Sequence, residues 1–245
     1  MDELLPKRDF DDGLTRGGRI FLWVYLMIHS VVLPLALGAL ARRLPAGTIS
    51  DAYVNFIYYA FGAAVIFAVT WRAFRVGFDA LCDRPLACVY AVLLGYMLLM
   101  ALMYLASLVV SLLPDALKNV DNLNNDTVAG LADQDYDVTA AMAVFLAPLV
   151  EEPLFRGGVF GTVRRKSRAW AYILSAGLFA LYHVWQYAAA YGDPLYLLMA
   201  VEYLPAGVAL CWAYERTGSI WSPIFLHAMV NAMSLLSLKA VQGQG

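Results

Sequence analysis

Residues 138–163 read VTAAMAVFLAPLVEEPLFRGGVFGTV, and their reading decides the class of the whole chain. A helix that crosses a bilayer takes about 20 predominantly apolar residues, which this run supplies. Near its middle it also carries Glu151, Glu152 and Arg156. An ionisable side chain at that depth costs on the order of 2.5 to 3.5 kcal/mol on insertion scales, so such groups mark function by default.

Composition places the surroundings of this run in a membrane. The 245 residues are 62% hydrophobic and 15% charged, where soluble domains run nearer about 45–50% and about 25%. Seven apolar runs are long enough to span: Ile20–Ala41, Tyr53–Trp71, Ala87–Leu113, Val138–Val163, Ala169–Tyr191, Leu195–Tyr214 and Ser219–Leu238. The fold class expected is therefore all-α, a polytopic membrane bundle of about seven transmembrane helices. The third run has length to spare for tilt. Ala39-Leu40-Ala41 imitates a signal-peptidase site, but the run before it exceeds a signal-peptide core and more spans follow, so it reads as a retained anchor. Trp71, Trp170 and Trp221 fall at predicted span ends, as interfacial aromatic belts require.

Charge sets a direction. Lys7, Arg8, Arg16, Arg19, Arg72, Arg75, Arg84, Arg164, Arg165, Lys166, Arg168 and Arg216 lie in the segments on one side, and only Arg42, Arg43, Lys118 and Lys239 on the other. Lys and Arg collect in cytoplasmic loops, so the N-terminus is expected inside and the C-terminus outside. The expected organisation is a charged cytoplasmic tail over residues 1–19 and a single membrane domain over 20–245. A polar loop at 114–137 lies outside, and no internal repeat is visible. The net charge of −2 gives no basic stripe for nucleic acid. Cys82, Cys88 and Cys211 lack the spacing of a zinc site or a disulfide framework.

The buried polar residues have a pattern. Glu152 and Arg156 are four apart, on one helical face and able to pair. Glu151 projects about 100 degrees away and is left free. Phe179 and His183 share a face of the fifth run, as do His227 and Asn231 of the seventh. At about 1.5 Å per residue, Glu151 lies roughly 20 Å from Arg164, His183 roughly 22 Å from Arg168 and His227 roughly 17 Å from Arg216. Three helices thus bring these groups to similar depths.

In this order and on these helices, EEPLFRG (151–157), FALYH (179–183) and HAMVN (227–231) resemble the EExxxR, FxxxH and HxxxN motifs of the CPBP family. Its members are intramembrane proteases related to CAAX prenyl protease 2, together with bacterial abortive-infection and bacteriocin self-immunity proteins. The resemblance covers a catalytic core of about 138–238. It implies peptide-bond hydrolysis in the membrane near the cytoplasmic side, in a bacterial cell membrane.

It also implies roles for single residues. Glu151 with His183 would activate a water, Glu152 would be held by Arg156, and His227 and Asn231 would stabilise the oxyanion. Phe179 would support the site. A carboxylate out of bulk water is a stronger proton acceptor, and preorganised donors steady a developing negative charge, so the chemistry is consistent. Glu151, His183 and His227 also make a three-ligand zinc set. They come from three helices without the local HExxH spacing, and a metal-free, glutamate-activated water is slightly preferred. The partner expected is a peptide or membrane-anchored protein, with prenylated proteins among the candidates, and membrane lipid.

Two features depart from the family pattern. Pro148 and Pro153 flank the paired glutamates and predict a bend. Larger relatives carry an eighth helix, whereas this chain ends about seven residues beyond its seventh span, which bears on substrate access and prenyl specificity. Competing readings are a transporter or proton-coupled permease using the buried Glu and His groups as a relay, and a catalytically silent immunity or scaffold protein. Gly157, Gly158 and Gly161 read as helix-packing positions rather than a phosphate loop. His29 reads as a packing residue, and Glu202 either as an auxiliary group lining a cavity or as the partner of a polar residue nearby.

Overall fold

The structure is a computed structural model that describes residues 12–242 except 44, 46 and 113–121. Most of the N-terminal tail, with Lys7 and Arg8, lies outside the described residues, as do Lys118 and the first part of the polar loop.

Among the described residues, eight helices follow one another: α1 (Arg16–Ala41), α2 (Asp51–Asp83), α3 (Pro85–Ser111), α4 (Leu123–Gln134), α5 (Tyr136–Arg164), α6 (Arg168–Tyr191), α7 (Pro194–Thr217) and α8 (Trp221–Gln242). No strand is present among the described residues. The all-α membrane bundle expected from composition is what the chain forms. Side-chain caps set several starts: Ser50, Asp135 and Ser167 accept from the backbone N–H of Tyr53, Val138 and Trp170. Gly192 and Gly218, both at φ 66°, close α6 and α7 in the left-handed conformation and allow tight reversals into the next helix.

Six of these helices, all but α4 and α6, are long and apolar enough to cross a membrane. α6, the fifth of the seven expected spans, runs from one end of the bundle to the other but falls short in apolarity. Its 24 residues suffice in length, but Ser175, His183, Gln186 and four tyrosines dilute its apolar surface. Those polar groups find partners inside the bundle; Ser175 Oγ, for example, donates to the Phe155 carbonyl at 2.9 Å. Nor does α2 stop at Trp71. It runs on to Asp83, with non-helical backbone at Thr70 (φ −110°, ψ 19°), whose hydroxyl donates back to the Ile66 carbonyl at 2.7 Å. A back-bonding threonine of this kind bends a helix without ending it.

α5 is the central rod: 61% of its most apolar window is buried, against 22–33% for the other five spans. The bend expected at the prolines takes a particular form. The helix widens to π-helical turns at Met142–Leu146 and again from Pro153 to Phe160, on either side of the glutamates. Wider turns absorb the backbone bonds that proline cannot make, and such bulges concentrate at functional sites.

The glycines after Arg156 are contact points, as read from sequence. A Cβ on Gly158 would lie 2.9 Å from Leu22 Cβ of α1, and one on Gly157 3.2 Å from Leu14. Gly207 similarly brings α7 against the backbone of α6 at Ala176, 2.8 Å from where a Cβ would sit. Helices in lipid associate through such close approach, since apolar burial alone does not separate helix from lipid. On the outside, Met27, Leu86, Met97, Tyr104 and Trp170 are among many large apolar side chains left exposed, as a lipid-facing surface requires.

The two ends of the bundle differ. At one, Arg19 forms a two-pronged ion pair with Asp12 at 2.5 and 2.6 Å beside Gly161 of α5. Ser219 Oγ donates to the Gly77 carbonyl at 2.7 Å, and Glu215 receives Arg164 and Arg168 at 2.6 and 2.9 Å. At the other end lies α4. Its Gln134 side chain accepts from the backbone N–H of Ala52, and its Thr127 hydroxyl lies 2.8 Å from that of Tyr187.

Candidate active site

Widening of α5 on both sides of the glutamates turns Glu151 and Glu152 into the bundle, where both are buried. Glu152 is fully buried with Arg156, whose Nε lies 3.1 Å from its Oε2. By distance this is an ion pair; by direction the N–H is not aligned on the oxygen, and Nε makes no hydrogen bond. The guanidinium is held instead from other sides. It donates to the Gly207 carbonyl at 3.4 Å and lies 4.5 Å above the Phe179 ring, a cation–π contact in a dry environment.

Glu152 has a second partner that spacing did not reveal. Its Oε1 lies 2.8 Å from Nδ1 of His227 on α8. An ionised carboxylate only accepts, so Nδ1 carries the proton and the Nε2 edge of His227 is free to face Glu151. His183 is held in the same sense: its Nδ1 donates to the Phe179 carbonyl at 2.8 Å. Its ring stacks on Tyr203, with centroids 4.5 Å apart. Both imidazoles therefore turn Nε2 toward one atom, Oε2 of Glu151, at 3.8 Å from His183 and 3.9 Å from His227.

That oxygen is buried and has no hydrogen-bond partner among the described residues, while Oε1 of the same carboxylate accepts from the Tyr59 hydroxyl at 3.0 Å. Tyr59 is in turn 3.0 Å from the hydroxyl of Tyr182. Glu151, His183, His227 and Asn231 all line one cavity of about 650 Å³, a size suited to a bound molecule. Asn231 donates from Nδ2 to the Ala143 carbonyl at 2.7 Å, in the first widened segment of α5. Phe179 lies beneath both the arginine and the histidines, its ring edge-on to His227 at 5.8 Å.

Two residues and one contact of the site escape sequence reading: Tyr59, Tyr203 and the Glu152–His227 contact. Tyr59 belongs to no motif, and only its place in the polar pair Tyr58-Tyr59 inside an apolar span could have drawn notice. Glu202 proves to serve both readings offered for it. It lines the cavity, and its Oε2 accepts from Asn122 Nδ2 at 2.5 Å, tying the start of α4 to α7. His29 is buried and stacked on Tyr58, centroids 4.3 Å apart, as a packing residue would be.

The donor set fits a metal in kind. Two imidazole nitrogens and a carboxylate oxygen converge, each histidine oriented through its other nitrogen, which is how zinc ligands are commonly held. The separations are wider than a bound tetrahedron demands: bonds of about 2.1 Å put ligand atoms about 3.4 Å apart. Among the described residues, no group of three His, Cys, Asp or Glu side chains stands at metal-holding spacing.

These features define an α-helical integral membrane protein with a buried carboxylate–histidine centre built on its last four helices. Residues 136–233, which carry all three motifs, match the family described as type II CAAX prenyl endopeptidase Rce1-like. Over 92 residues, 37% of this chain and 33% of the relative, it is 30% identical to the Bacillus subtilis (strain 168) protein named "Putative membrane peptidase YdiL". Over 94 residues, 38% of this chain and 46% of the relative, it is 31% identical to "UPF0177 protein YxdF" of Lactococcus lactis subsp. lactis (strain IL1403). The matches thus span a third to just under half the length of these curated relatives. No solved structure matches the chain.

Proposed function

We propose that the protein is an intramembrane endopeptidase in which Glu151 activates a water. The observation that carries this reading is the unpartnered Oε2 of Glu151 facing Nε2 of both histidines at the end of the cavity. A water at that point hydrogen-bonds to Glu151 and His183 and is held for attack. Glu151 takes its proton as the oxygen adds to the scissile carbonyl carbon. The C–N bond then breaks, and the same proton passes from Glu151 to the leaving amine.

His227 and Asn231 stabilise the oxyanion. His227 is fixed by Glu152 and donates from Nε2 in its doubly protonated form, and Asn231 has a second N–H beyond the one given to Ala143. Glu152 and Arg156 neutralise each other, so the uncompensated carboxylate facing the two histidines is Glu151. A metal held by Glu151, His183 and His227 would supply Lewis-acid activation of the same water. The wide separations support the metal-free form, and substrates are peptides or membrane-anchored proteins, prenylated ones among them.

The test uses the full chain in detergent with fluorogenic peptides, with and without a C-terminal lipid. Wild type is expected to cleave, and Glu151→Ala, His183→Ala and His227→Ala to lose activity at least 100-fold. Equal cleavage by Glu151→Ala ends the assignment. Loss of activity with a chelator and its return with zinc replaces the metal-free water by a metal-bound one. Solute or proton flux in liposomes without cleavage favours a permease.

A further inference from the structure

The cavity that ends at Glu151 is confined to one half of the bundle. It takes the C-terminal part of α1 from Ser30, the N-terminal part of α2 as far as Tyr59, α5 from Met142 to Glu151 and α8 from Leu226 onward. The helices α1, α2, α3, α5, α6, α7 and α8 run in alternating directions, so all these parts lie at the same end, where α4 packs against Ala52 and Tyr187. The other half is filled. Below Glu151, Leu154, Phe155, Val159 and Phe160 of α5 and Leu22 of α1 have no exposed surface. The void found there is about 10 Å³, space for a single water at most.

The filled end is also the basic one. Among the described residues, Arg16, Arg19, Arg72, Arg75, Arg84, Arg164, Arg165, Lys166, Arg168 and Arg216 stand at that end, and only Arg42, Arg43 and Lys239 at the end with the cavity. An excess of Lys and Arg marks the cytoplasmic side. The mouth of the cavity therefore faces away from it, and the polar face of α4, with Asn125, Asp126 and Thr127 exposed, borders that mouth.

We propose that the cavity opens to the non-cytoplasmic face, and that its substrate is a peptide segment presented from that face rather than a prenylated tail from the cytoplasm. This reverses the side of access that the family resemblance implies. The substrate clause rests on the endopeptidase reading; the sidedness does not.

Two thiols read the sidedness without catalysis. Cys82 is exposed at the basic end, while Cys88 and Cys211 are buried. Gly130 lies exposed on α4, and an added Cβ there meets nothing within 4 Å. The full chain is expressed in a bacterial inner membrane, as wild type and as Gly130→Cys in a Cys82→Ser background, and treated with a membrane-impermeant maleimide. In intact spheroplasts the Gly130→Cys thiol is expected to label, and Cys82 only after permeabilisation; inverted vesicles give the opposite pattern. Labelling of Cys82 in intact spheroplasts, or of Gly130→Cys only after permeabilisation, overturns the proposal.

An impermeant fluorogenic peptide then reads the substrate side. Cleavage by spheroplasts and at least tenfold less by inverted vesicles is expected, and the reverse overturns it. Absence of cleavage from both faces and in detergent sinks the endopeptidase reading while leaving the thiol result standing.

Discussion

Glu152 Oε1 and His227 Nδ1 lie 2.8 Å apart across two helices, and on its other side the same carboxylate faces Arg156 Nε at 3.1 Å. One buried acid thus neutralises an arginine and orients an imidazole. Removing it strands Arg156 in a fully buried place, and breaking a buried pair from one side costs about 3–5 kcal/mol. Glu152→Gln and Arg156→Gln are each expected to lower the unfolding midpoint in detergent sharply. The double variant should lose less than the sum of the two, because it leaves no charge unpaired. Additive losses would mean that the two residues do not stabilise each other.

A second prediction concerns Tyr59, whose hydroxyl holds Oε1 of Glu151 at 3.0 Å. A hydrogen bond to a charged group contributes about 1.5–3 kcal/mol, so Tyr59→Phe should cut kcat by roughly tenfold to a hundredfold. Its shape is kept, and KM should hardly move. Tyr182→Phe removes a group that reaches Glu151 through the Tyr59 hydroxyl and should have a smaller effect. A Tyr59→Phe enzyme with unchanged kcat would show that Glu151 is positioned by the backbone alone.

How far the site is legible in the sequence depends on how local each contact is. Glu152 and Arg156 are one turn apart, and so are Phe179 and His183, so helical spacing suffices to join them. The contact of Glu152 with His227 joins positions 75 apart, and that of Tyr59 with Glu151 joins positions 92 apart. No period within one helix signals either. The same limit applies to α2: Arg72 and Arg75 read as the end of a span, yet helical backbone tolerates them and runs on to Asp83. Pro148 and Pro153 announce a disturbance, but whether a helix answers by kinking or by widening depends on the neighbours packed around it. Here the helix widens and continues, with Gly158 packed closely against Leu22.

Close packing gives a third prediction. A Cβ on Gly207 would come within 2.8 Å of Ala176 Cα and 3.1 Å of its carbonyl oxygen, backbone atoms that cannot swing aside. Overpacking of this kind costs about 1–3 kcal/mol. Gly207 also supplies the carbonyl that receives Arg156, so Gly207→Ala should lower both stability and activity. Gly158→Ala meets a side chain, Leu22 Cβ at 2.9 Å, and its damage should be relieved in part by Leu22→Ala. Rescue of Gly207→Ala by Ala176→Gly would not be expected to be complete, since two of its three close contacts are backbone. Thermal unfolding of the four variants checks the difference.

The charge of the cavity sets a preference among peptides. Among the described residues no Lys or Arg lines it, and the charged groups that do are the carboxylates Glu151 and Glu202. In the proposed mechanism Glu151 is engaged with the reacting water, which leaves Glu202, near the mouth and bonded to Asn122, to act on the substrate's flanks. A charge some distance from the reacting bond changes binding in ground and transition states alike and so moves KM more than kcat. Peptides with lysine beside the scissile bond should therefore be cleaved with lower KM than otherwise equal peptides with aspartate. Glu202→Gln should narrow that gap several-fold while leaving kcat for a neutral peptide within about twofold, and raising the salt concentration should narrow it in the wild type. An equal loss for basic, neutral and acidic peptides would instead mean that Glu202 matters only as the anchor of α4, and Asn122→Ala should then reproduce it.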